Sequence, residues 1–251
     1  MSQPTKKYGL DIAELVVDYG KLRALSGVNL QVEQGSICGI VGQNGSGKST
    51  MFKAVLGLVH RVEGTVNIDG YTSYEARQRG LVSYVPQSEE IDKDFPISVY
   101  DVVMMGRYGY MGALRRPKKK DREAVEHALM MVGIDDLAHR QIGALSGGQR
   151  KRAFVARGIA QGASVMLLDE PFAGVDKPSE TTIISLLHTL RDMGKTILVS
   201  THDLASLTIL CDSVALLYRK VCFFGEPKEA LQPNNLALAF GGAVAVQEGT
   251  L

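Results

Sequence analysis

Cysteine is scarce in this sequence, with Cys38, Cys211 and Cys222 as its three copies. They are widely separated and form no C-x-x-C pair, which excludes a disulfide framework and a cysteine-based zinc site. We therefore expect each thiol to lie in the interior as a small apolar side chain.

An excess of one charge is also absent, because 28 Lys and Arg residues against 27 Asp and Glu residues leave a net charge of +1. Affinity for a nucleic acid duplex comes largely from basic side chains that displace counterions from phosphates. The charge balance therefore predicts that the protein has no nucleic-acid partner. One basic run, Arg115 to Lys120, is followed at once by Asp121 and Glu123, and we interpret it as a solvated loop or helix start.

Long hydrophobic runs are missing as well. No apolar stretch follows the first lysines, so the N-terminus does not resemble a secretory signal peptide. The weakly polar stretch from Leu236 to Val246 is well short of the roughly 20 residues that cross a bilayer. We expect no membrane span and a protein that stays in the cytosol. With 45% hydrophobic and 22% charged residues, the composition also excludes disorder, a coiled-coil rod and a collagen-like fibre.

Short apolar runs that end in a small or acidic residue and lead into helical patterns dominate the rest of the chain. Three of them are residues 37–41, 165–168 and 196–199. Runs that are apolar on both faces are typical of a parallel sheet covered by helices. The pattern therefore predicts an α/β fold.

Two other regions depart from this pattern. Residues 11–17 and 28–32 are predicted strands joined by a turn at 19–21, and residues 65–69 alternate as an antiparallel strand does. Between about residues 94 and 162 the periodicity is helical. One apolar stripe there contains Val125, Ala128, Leu129 and Val132. We predict an antiparallel β layer and an inserted helical lobe.

A phosphate-binding motif follows the first apolar run. Residues 42–49 fit the pattern G-x-x-x-x-G-K-[ST] between a predicted strand and a predicted helix. Its glycines let backbone N–H groups turn toward a polyphosphate, and the helix start near Lys48 adds the positive end of a dipole. Lys48 supplies a full charge, and Ser49 is expected to hold Mg²⁺. The expected nucleotide-binding residues are Gly42, Gln43, Asn44, Gly45, Ser46, Gly47, Lys48, Ser49 and Thr50.

Two acids end the apolar run at 165–168. In open parallel sheets ligands bind at the carboxyl ends of the strands, which is where Asp169 and Glu170 stand. We expect Asp169 to bind Mg²⁺ and Glu170 to orient and polarise the attacking water. The pattern is weak on its own, since many buried strands end in acids.

A second glycine-rich helix start occurs at Leu145-Ser146-Gly147-Gly148-Gln149. Ser146 and Gln149 fit a capping box. Two consecutive glycines in a first helical turn cost roughly 1 kcal/mol each relative to alanine. Their presence therefore indicates a role that only a residue without a side chain can fill. We interpret the segment as a second phosphate cradle, which uses bare backbone and the Ser146 hydroxyl.

The phosphate loop, the LSGGQ segment and Leu167-Leu168-Asp169-Glu170-Pro171, in this order, resemble the ATP-binding cassette (ABC) ATPases. The resemblance implies ATP and Mg²⁺ as cofactors. It also implies that Ser146, Gly147, Gly148 and Gln149 act on the nucleotide held by a second subunit, so that the chain works as a homodimer.

Four further residues take their roles from the same resemblance. Tyr19 matches the aromatic that stacks on adenine, and Gln87 matches the glutamine that senses Mg²⁺ and the membrane partner. His202 matches the switch histidine that contacts the γ-phosphate. Asp176 matches the loop that crosses between subunits, although this chain has Ala173-Gly174-Val175-Asp176 where the family more often has Ser-Ala-Leu-Asp.

The implied architecture is one ABC ATPase domain over residues 1–251. A P-loop (RecA-like) parallel-sheet core with its antiparallel β layer would occupy 1–93 and 163–232. A helical subdomain with the LSGGQ segment would occupy 94–162, and a C-terminal tail 233–251. No pattern indicates a role for the tail.

The segment from Phe95 to Tyr110, followed by Met111, is rich in Met and Tyr, and it is a predicted docking surface for a membrane partner, with a core stripe as the alternative. This segment and the Phe224-Gly225-Glu226-Pro227 turn resemble the ATP-binding subunits of bacterial manganese, zinc and iron importers. The implied partners are integral membrane permease subunits and, through them, an extracellular metal-binding protein. The implied location is the cytoplasmic face of the plasma membrane, and no residue is expected to coordinate the transported metal.

Two alternatives stay open. A siderophore, haem or cobalamin importer uses a related cassette. A soluble ABC ATPase that acts on nucleic acid, ribosomes or iron–sulfur assembly is the more distant alternative. DNA-repair members interrupt the cassette with a long coiled coil and translation factors join two cassettes, and the sequence has neither feature.

Overall fold

Ten strands in two sheets carry the fold of residues 7–87, 95–112 and 114–240, which are the residues that the computed structural model describes. The strands are β1 (Tyr8–Tyr19), β2 (Leu22–Glu33), β3 (Ile37–Val41), β4 (Glu63–Ile68), β5 (Tyr71–Thr72), β6 (Val82–Val85), β7 (Val165–Asp169), β8 (Thr196–Thr201), β9 (Ser213–Tyr218) and β10 (Lys220–Gly225). The end of the expected tail, from Gly241 and Gly242 onward, lies outside the described residues, as does the expected boundary at 93 and 94.

Helices cover these sheets and connect their strands. The α-helices are α1 (Lys48–Val55), α2 (Ser73–Gln78), α3 (Val99–Met104), α4 (Lys119–Met131), α5 (Gly147–Gln161), α6 (Lys177–Asp192), α7 (Leu207–Leu210), α8 (Pro227–Ala230) and α9 (Pro233–Phe240). Short 3₁₀ turns occupy Met105–Tyr110, Asp135–Leu137 and Ile142–Ala144.

The larger sheet has the order β10-β9-β3-β8-β7-β6, and all of its neighbours are parallel except β10 and β9. Strands β3, β7 and β8 are buried along their whole length, as the apolar runs predict. Because the three strands are parallel, Val41, Asp169 and Thr201 end them at the same edge of the sheet.

The smaller sheet is antiparallel, with the order β2-β1-β4-β5. It confirms the predicted β layer and the turn between β1 and β2. Side chains alternate between two cores along β3 and β7. Cys38 and Leu167 face the core under the antiparallel sheet and α1, while Val41 and Leu168 face the core under α5 and α6.

The predicted helical stripe of α4 is buried against α3 and α5. A buried ion pair fixes this lobe, because the Arg107 guanidinium lies 3.1 Å from Asp121 and also donates to the Ala160 carbonyl at 2.8 Å. The Lys118 backbone N–H and the Arg107 guanidinium lower the pKa of Asp121. The basic run before Asp121 is exposed and Lys119 begins α4, so the interpretation as a solvated helix start is confirmed.

Two of the three cysteines match the expected burial. Cys38 and Cys211 are buried, and burial raises the pKa of the Cys38 thiol to about 12. The expectation is wrong for Cys222, which is half-buried because it lies on the edge strand β10. Across the part of the chain that the structure describes, no helix combines the length and the apolar character that crossing a bilayer requires.

Candidate nucleotide site

A pocket of about 630 Å³ opens at the edge where β3, β7 and β8 end. It brings together residues that the sequence motifs place far apart. The predicted site residues that line it are Tyr19, Gly42, Gln43, Asn44, Gly45, Gly47, Lys48, Ser49, Thr50, Gln87, Asp169, Glu170 and His202.

The phosphate loop joins β3 to α1 through two tightly constrained glycines. A Cβ on Gly42 would lie 2.2 Å from the Leu217 carbonyl, and Gly47 has a φ of 107° with a Cβ position 2.7 Å from Leu25. Gly47 is also the N-cap of α1, and no side chain among the described residues caps this helix start. Its first N–H groups therefore remain available to an anion in the pocket.

Among the predicted residues 42–50, Ser46 is the one that is not at the wall of the nucleotide pocket. Its side chain is 1% exposed and does not line the pocket. The hydroxyl packs beneath Gly42 instead, 2.5 Å from where a Cβ of that glycine would stand. Ser46 therefore supports the loop from below, and its backbone carbonyl accepts from the backbone N–H of Arg219 at 2.7 Å.

Lys48 lies under the loop with its ammonium group turned toward the pocket. Its Nζ donates to the carbonyls of Gly42 at 2.7 Å and Gln43 at 3.3 Å. Burial lowers the pKa of Lys48, and the carboxylates of Glu170 and Asp169 act in the opposite direction. The result is a positive charge held at the floor of the nucleotide pocket.

Asp169 is the centre of a hydrogen-bond network. Its Oδ2 accepts from the Ser49 hydroxyl at 3.0 Å and from the Tyr84 hydroxyl at 3.2 Å, and its Oδ1 accepts from Ser200. One carboxylate and one hydroxyl fit Mg²⁺, which prefers few protein oxygens and completes its shell with phosphate oxygens and water. Sequence reasoning missed Tyr84 and Ser200, although each lies in a strand that ends at this edge.

Glu170 has an unusual backbone, with a φ of 49°. The left-handed conformation costs a non-glycine residue roughly 1 kcal/mol, and it is held by hydrogen bonds from the Glu170 N–H to the carbonyl and the hydroxyl of Ser200 at 3.1 and 3.0 Å. The turn keeps the carboxylate at the pocket wall.

His202 partners this carboxylate, since its Nδ1 lies 2.8 Å from Glu170 Oε2. A carboxylate only accepts, so Nδ1 carries the proton and the other ring nitrogen faces away from Glu170. The histidine side chain is 70% exposed while that of Glu170 is 9% exposed. The pair therefore places a buried carboxylate next to a ring that reaches the solvent-filled pocket.

The LSGGQ segment lies outside this pocket. Ser146 caps α5 and accepts from the Gln149 N–H at 3.2 Å, while the Gln149 side chain accepts from the Ser146 N–H at 3.0 Å. The predicted capping box is present. Of the residues of this segment, Gly147 lines a separate pocket of about 290 Å³.

Packing within the chain is a second explanation for the two glycines of this segment. A Cβ on Gly148 would stand 2.6 Å from the Ser179 side chain, and one on Gly147 would stand 3.0 Å from the Gly174 carbonyl. Close packing against the start of α6 therefore also needs bare backbone. Asp176 caps α6 there, where the N–H and the hydroxyl of Ser179 lower its pKa.

The predicted docking segment divides into exposed and packed side chains. Met104 is 6% exposed, so the prediction is wrong for this residue, which belongs to the core. Tyr108 and Met111 pack against the same core. Phe95, Met105 and Tyr110 remain exposed.

Five residues that sequence reasoning missed also line the nucleotide pocket, namely Leu22, Arg23, Ala24, Arg219 and Phe240. Phe240 comes from α9, which packs on β9 and β10. The tail thus reaches the site. The weakly polar character of the sequence after Leu236 is consistent with a docked segment, but it does not indicate where the helix docks.

Comparisons with known proteins agree with this site. Residues 25–173 match the ABC transporter family. The manganese transport system ATP-binding protein MntA of Synechocystis sp. is 48% identical, over 96% of this chain and 94% of the relative. The chelated iron transport system membrane protein YfeB of Yersinia pestis is 46% identical, over 88% of this chain and 75% of the relative.

Among solved structures, cbiO1 from Clostridium perfringens, part of the ABC transporter complex cbiONQ, has a TM-score of 0.78 and 30% identity over 92% of this chain and 93% of that chain. The fold, the phosphate loop and these relatives agree. The chain belongs to the ABC transporter family, as an ATP-binding and ATP-hydrolysing subunit.

Proposed function

We propose that this ATPase powers the import of a transition metal, manganese, zinc or iron, as a homodimer beneath two permease subunits at the cytoplasmic face of the plasma membrane. The observation that carries the proposal is the separation of the LSGGQ segment from the chain's own nucleotide pocket. A second copy supplies the missing cradle, and ATP closes the pair.

In this proposal the predicted residues of the pocket divide the work of binding and hydrolysing ATP. Tyr19, 47% exposed at the pocket, stacks on adenine, and Lys48 with the first N–H groups of α1 binds the phosphates. Ser49, Gln87 and Asp169 hold Mg²⁺, which neutralises phosphate charge when bound. Glu170 orients and polarises the attacking water, and His202 contacts the γ-phosphate while it holds the Glu170 carboxylate in place.

The partner copy acts through a different set of residues. Ser146, Gly147, Gly148 and Gln149 present the positive start of α5 to the nucleotide of the other subunit, and Asp176 lies at the crossing loop. Because these contacts form only when ATP is bound and break after hydrolysis, ATP shifts the pair between closed and open states. The exposed side chains of Phe95, Met105 and Tyr110 face the permease.

The choice of metal belongs to the partners in this proposal. Two relatives of nearly equal identity, 48% and 46%, are named for manganese and for chelated iron. In the described ranges no group of three or more His, Cys, Asp and Glu side chains is arranged to hold a metal ion. The permease and an extracellular metal-binding protein would then select the cargo.

Deletion of the gene in its own host tests the proposal. We expect the cellular content of one of the three metals to fall, as measured by mass spectrometry of washed cells in metal-limited medium. The wild-type gene should restore the metal, and a Glu170→Gln gene should not. Loss restricted to siderophore, haem or cobalamin uptake would favour the related importer class, and unchanged metal contents with a defect in translation or DNA repair would contradict transport.

A further inference from the structure

The free edge of the parallel sheet is closed by side chains of α5. Strand β6 is the last strand in the sheet order, and among the strands that the structure describes it pairs with β7 alone. An edge strand leaves every second carbonyl pointing away from its neighbour. Three side chains of α5 donate to such carbonyls.

The contacts follow the strand in steps of two residues. Gln161 donates to the carbonyls of Gly80 at 3.1 Å and Val82 at 2.8 Å, and Arg157 donates to Tyr84 at 3.3 Å. Lys151 completes the row, because its Nζ donates to the Pro86 carbonyl at 3.2 Å and the Gln87 carbonyl at 2.6 Å. The helix therefore runs antiparallel to the strand and is fastened to it from end to end.

Lys151 occupies a position in α5 that is unfavourable for a positive charge. It lies two residues after the LSGGQ segment, near the positive end of α5, where a cation is disfavoured by the helix dipole. Arg152 beside it donates to the carbonyls of Val132 and Gly133, at 2.9 and 3.0 Å, at the end of α4. The unfavourable interaction of such a cation with the helix dipole is offset by the carbonyl groups that the cation binds. For Lys151 these groups include the backbone carbonyl of Gln87.

We infer that Lys151 is a positioning residue that ties Gln87 to the LSGGQ end of α5. The start of α5 and Gln87 then move together, although they serve different nucleotides in the dimer. A shift of α5 that accompanies contact with the partner's ATP is passed to the Gln87 backbone through two hydrogen bonds. The inference rests on the proposed role of Gln87 at the Mg²⁺ site.

The test compares Lys151→Met with Gln161→Met in the purified full-length protein. Both variants remove donors to the same strand, but only the first removes a donor to Gln87. For Lys151→Met we expect kcat to fall about tenfold, the half-saturating Mg²⁺ concentration to rise, and the KM for ATP to change less than about twofold. Gln161→Met should keep all three values within about twofold of the wild type, even where its melting temperature falls equally.

A conservative substitution of Lys151 should restore the activity that Lys151→Met loses. Lys151→Arg, whose guanidinium also donates to two carbonyls, should recover most of the lost kcat. If Lys151→Met does not fold, Lys151→Leu, which also has no donor, replaces it and should show the same change in Mg²⁺ dependence. Equal kinetics for Lys151→Met and Gln161→Met would overturn the inference.

Gln87→Ala separates this inference from the proposed function. A low kcat in Gln87→Ala together with a normal kcat in Lys151→Met would overturn only the link between the two residues. Wild-type hydrolysis in Gln87→Ala would overturn the proposed role of Gln87 itself.

Discussion

Two helices of this protein begin with a glycine-rich turn, and the two turns are built differently. The start of α1 has Gly47 as its N-cap in a left-handed conformation, and in the part of the chain that the structure describes no side chain caps it. The start of α5 has Ser146 as its N-cap, and the side chain of Gln149 completes a capping box. The first turn leaves its N–H groups to a ligand, whereas the second satisfies part of its own.

The surroundings differ in the same sense. Next to the first turn the chain places Lys48 and the carboxylates of Asp169 and Glu170 in a single pocket. The pocket beside the second turn is lined by Arg150 and Lys151, and no carboxylate from the described part of the chain lines it. The first turn therefore belongs to a site that can bind a nucleotide and activate water, and the second offers only part of one. This asymmetry is what a dimer with shared sites requires.

The largest effect is expected at Glu170, the proposed catalytic carboxylate next to the first turn. Glu170→Gln keeps the size of the side chain but cannot accept a proton from water, so hydrolysis should fall about a thousandfold. ATP binding should stay close to the wild type, because the phosphate loop and Lys48 are unchanged. Phosphate release and equilibrium binding of a fluorescent ATP analogue measure the two quantities.

The same variant sharpens the comparison of the two turns. With hydrolysis blocked, ATP should hold two copies together, and the protein should elute as a dimer in Mg²⁺ and ATP but as a monomer without nucleotide. Hydrolysis near the wild-type rate would remove Glu170 from the mechanism. A monomer in ATP would show that the start of α5 does not act on a second copy.

A smaller effect is expected for Lys48→Ala, which removes the charge from the first turn. Its ammonium group faces the pocket from a buried position. Removing a hydrogen bond from a charged group to phosphate should weaken ATP binding about a hundredfold. Titration calorimetry measures this loss. Lys53→Ala on the exposed side of the same helix is the control and should bind as the wild type does; unchanged affinity in Lys48→Ala would contradict the cradle.

The features that sequence predicted best are those set by neighbouring residues. The apolar run of β3, the phosphate loop and the Ser146–Gln149 capping box each follow from a few consecutive positions. The hydrogen bond between Glu170 and His202 joins residues 32 positions apart, and only the resemblance to a known family placed both residues in one site.

Other features depend on how distant elements pack, and no local pattern contains them. Ser46 is buried because the phosphate loop folds its side chain against Gly42. Lys151 contacts Gln87 because α5 packs alongside β6. Phe240 reaches the nucleotide pocket because α9 docks on β9 and β10. The packing reason for Gly148 appears only once α6 is in place.

The smallest of the three effects concerns this last residue, Gly148. Alanine there would gain roughly 1 kcal/mol of helix propensity over glycine, but its Cβ would meet the Ser179 side chain at 2.6 Å. We expect Gly148→Ala to lower the melting temperature by about 5 °C and, because the start of α5 is displaced, to reduce hydrolysis about tenfold.

A second substitution decides which reason for the glycine matters. Ser179→Gly removes the atoms that the new Cβ would meet, and the Asp176 cap keeps its backbone hydrogen bond from residue 179. A double-mutant cycle compares the effect of Gly148→Ala in the wild type with its effect in Ser179→Gly. If packing within the chain is the reason for the glycine, Gly148→Ala should lower neither the melting temperature nor the rate of hydrolysis in the Ser179→Gly background. If the melting temperature returns while hydrolysis stays low, the bare backbone of Gly148 serves the nucleotide of the partner copy, and the two glycine-rich turns are more alike in function than their geometry indicates.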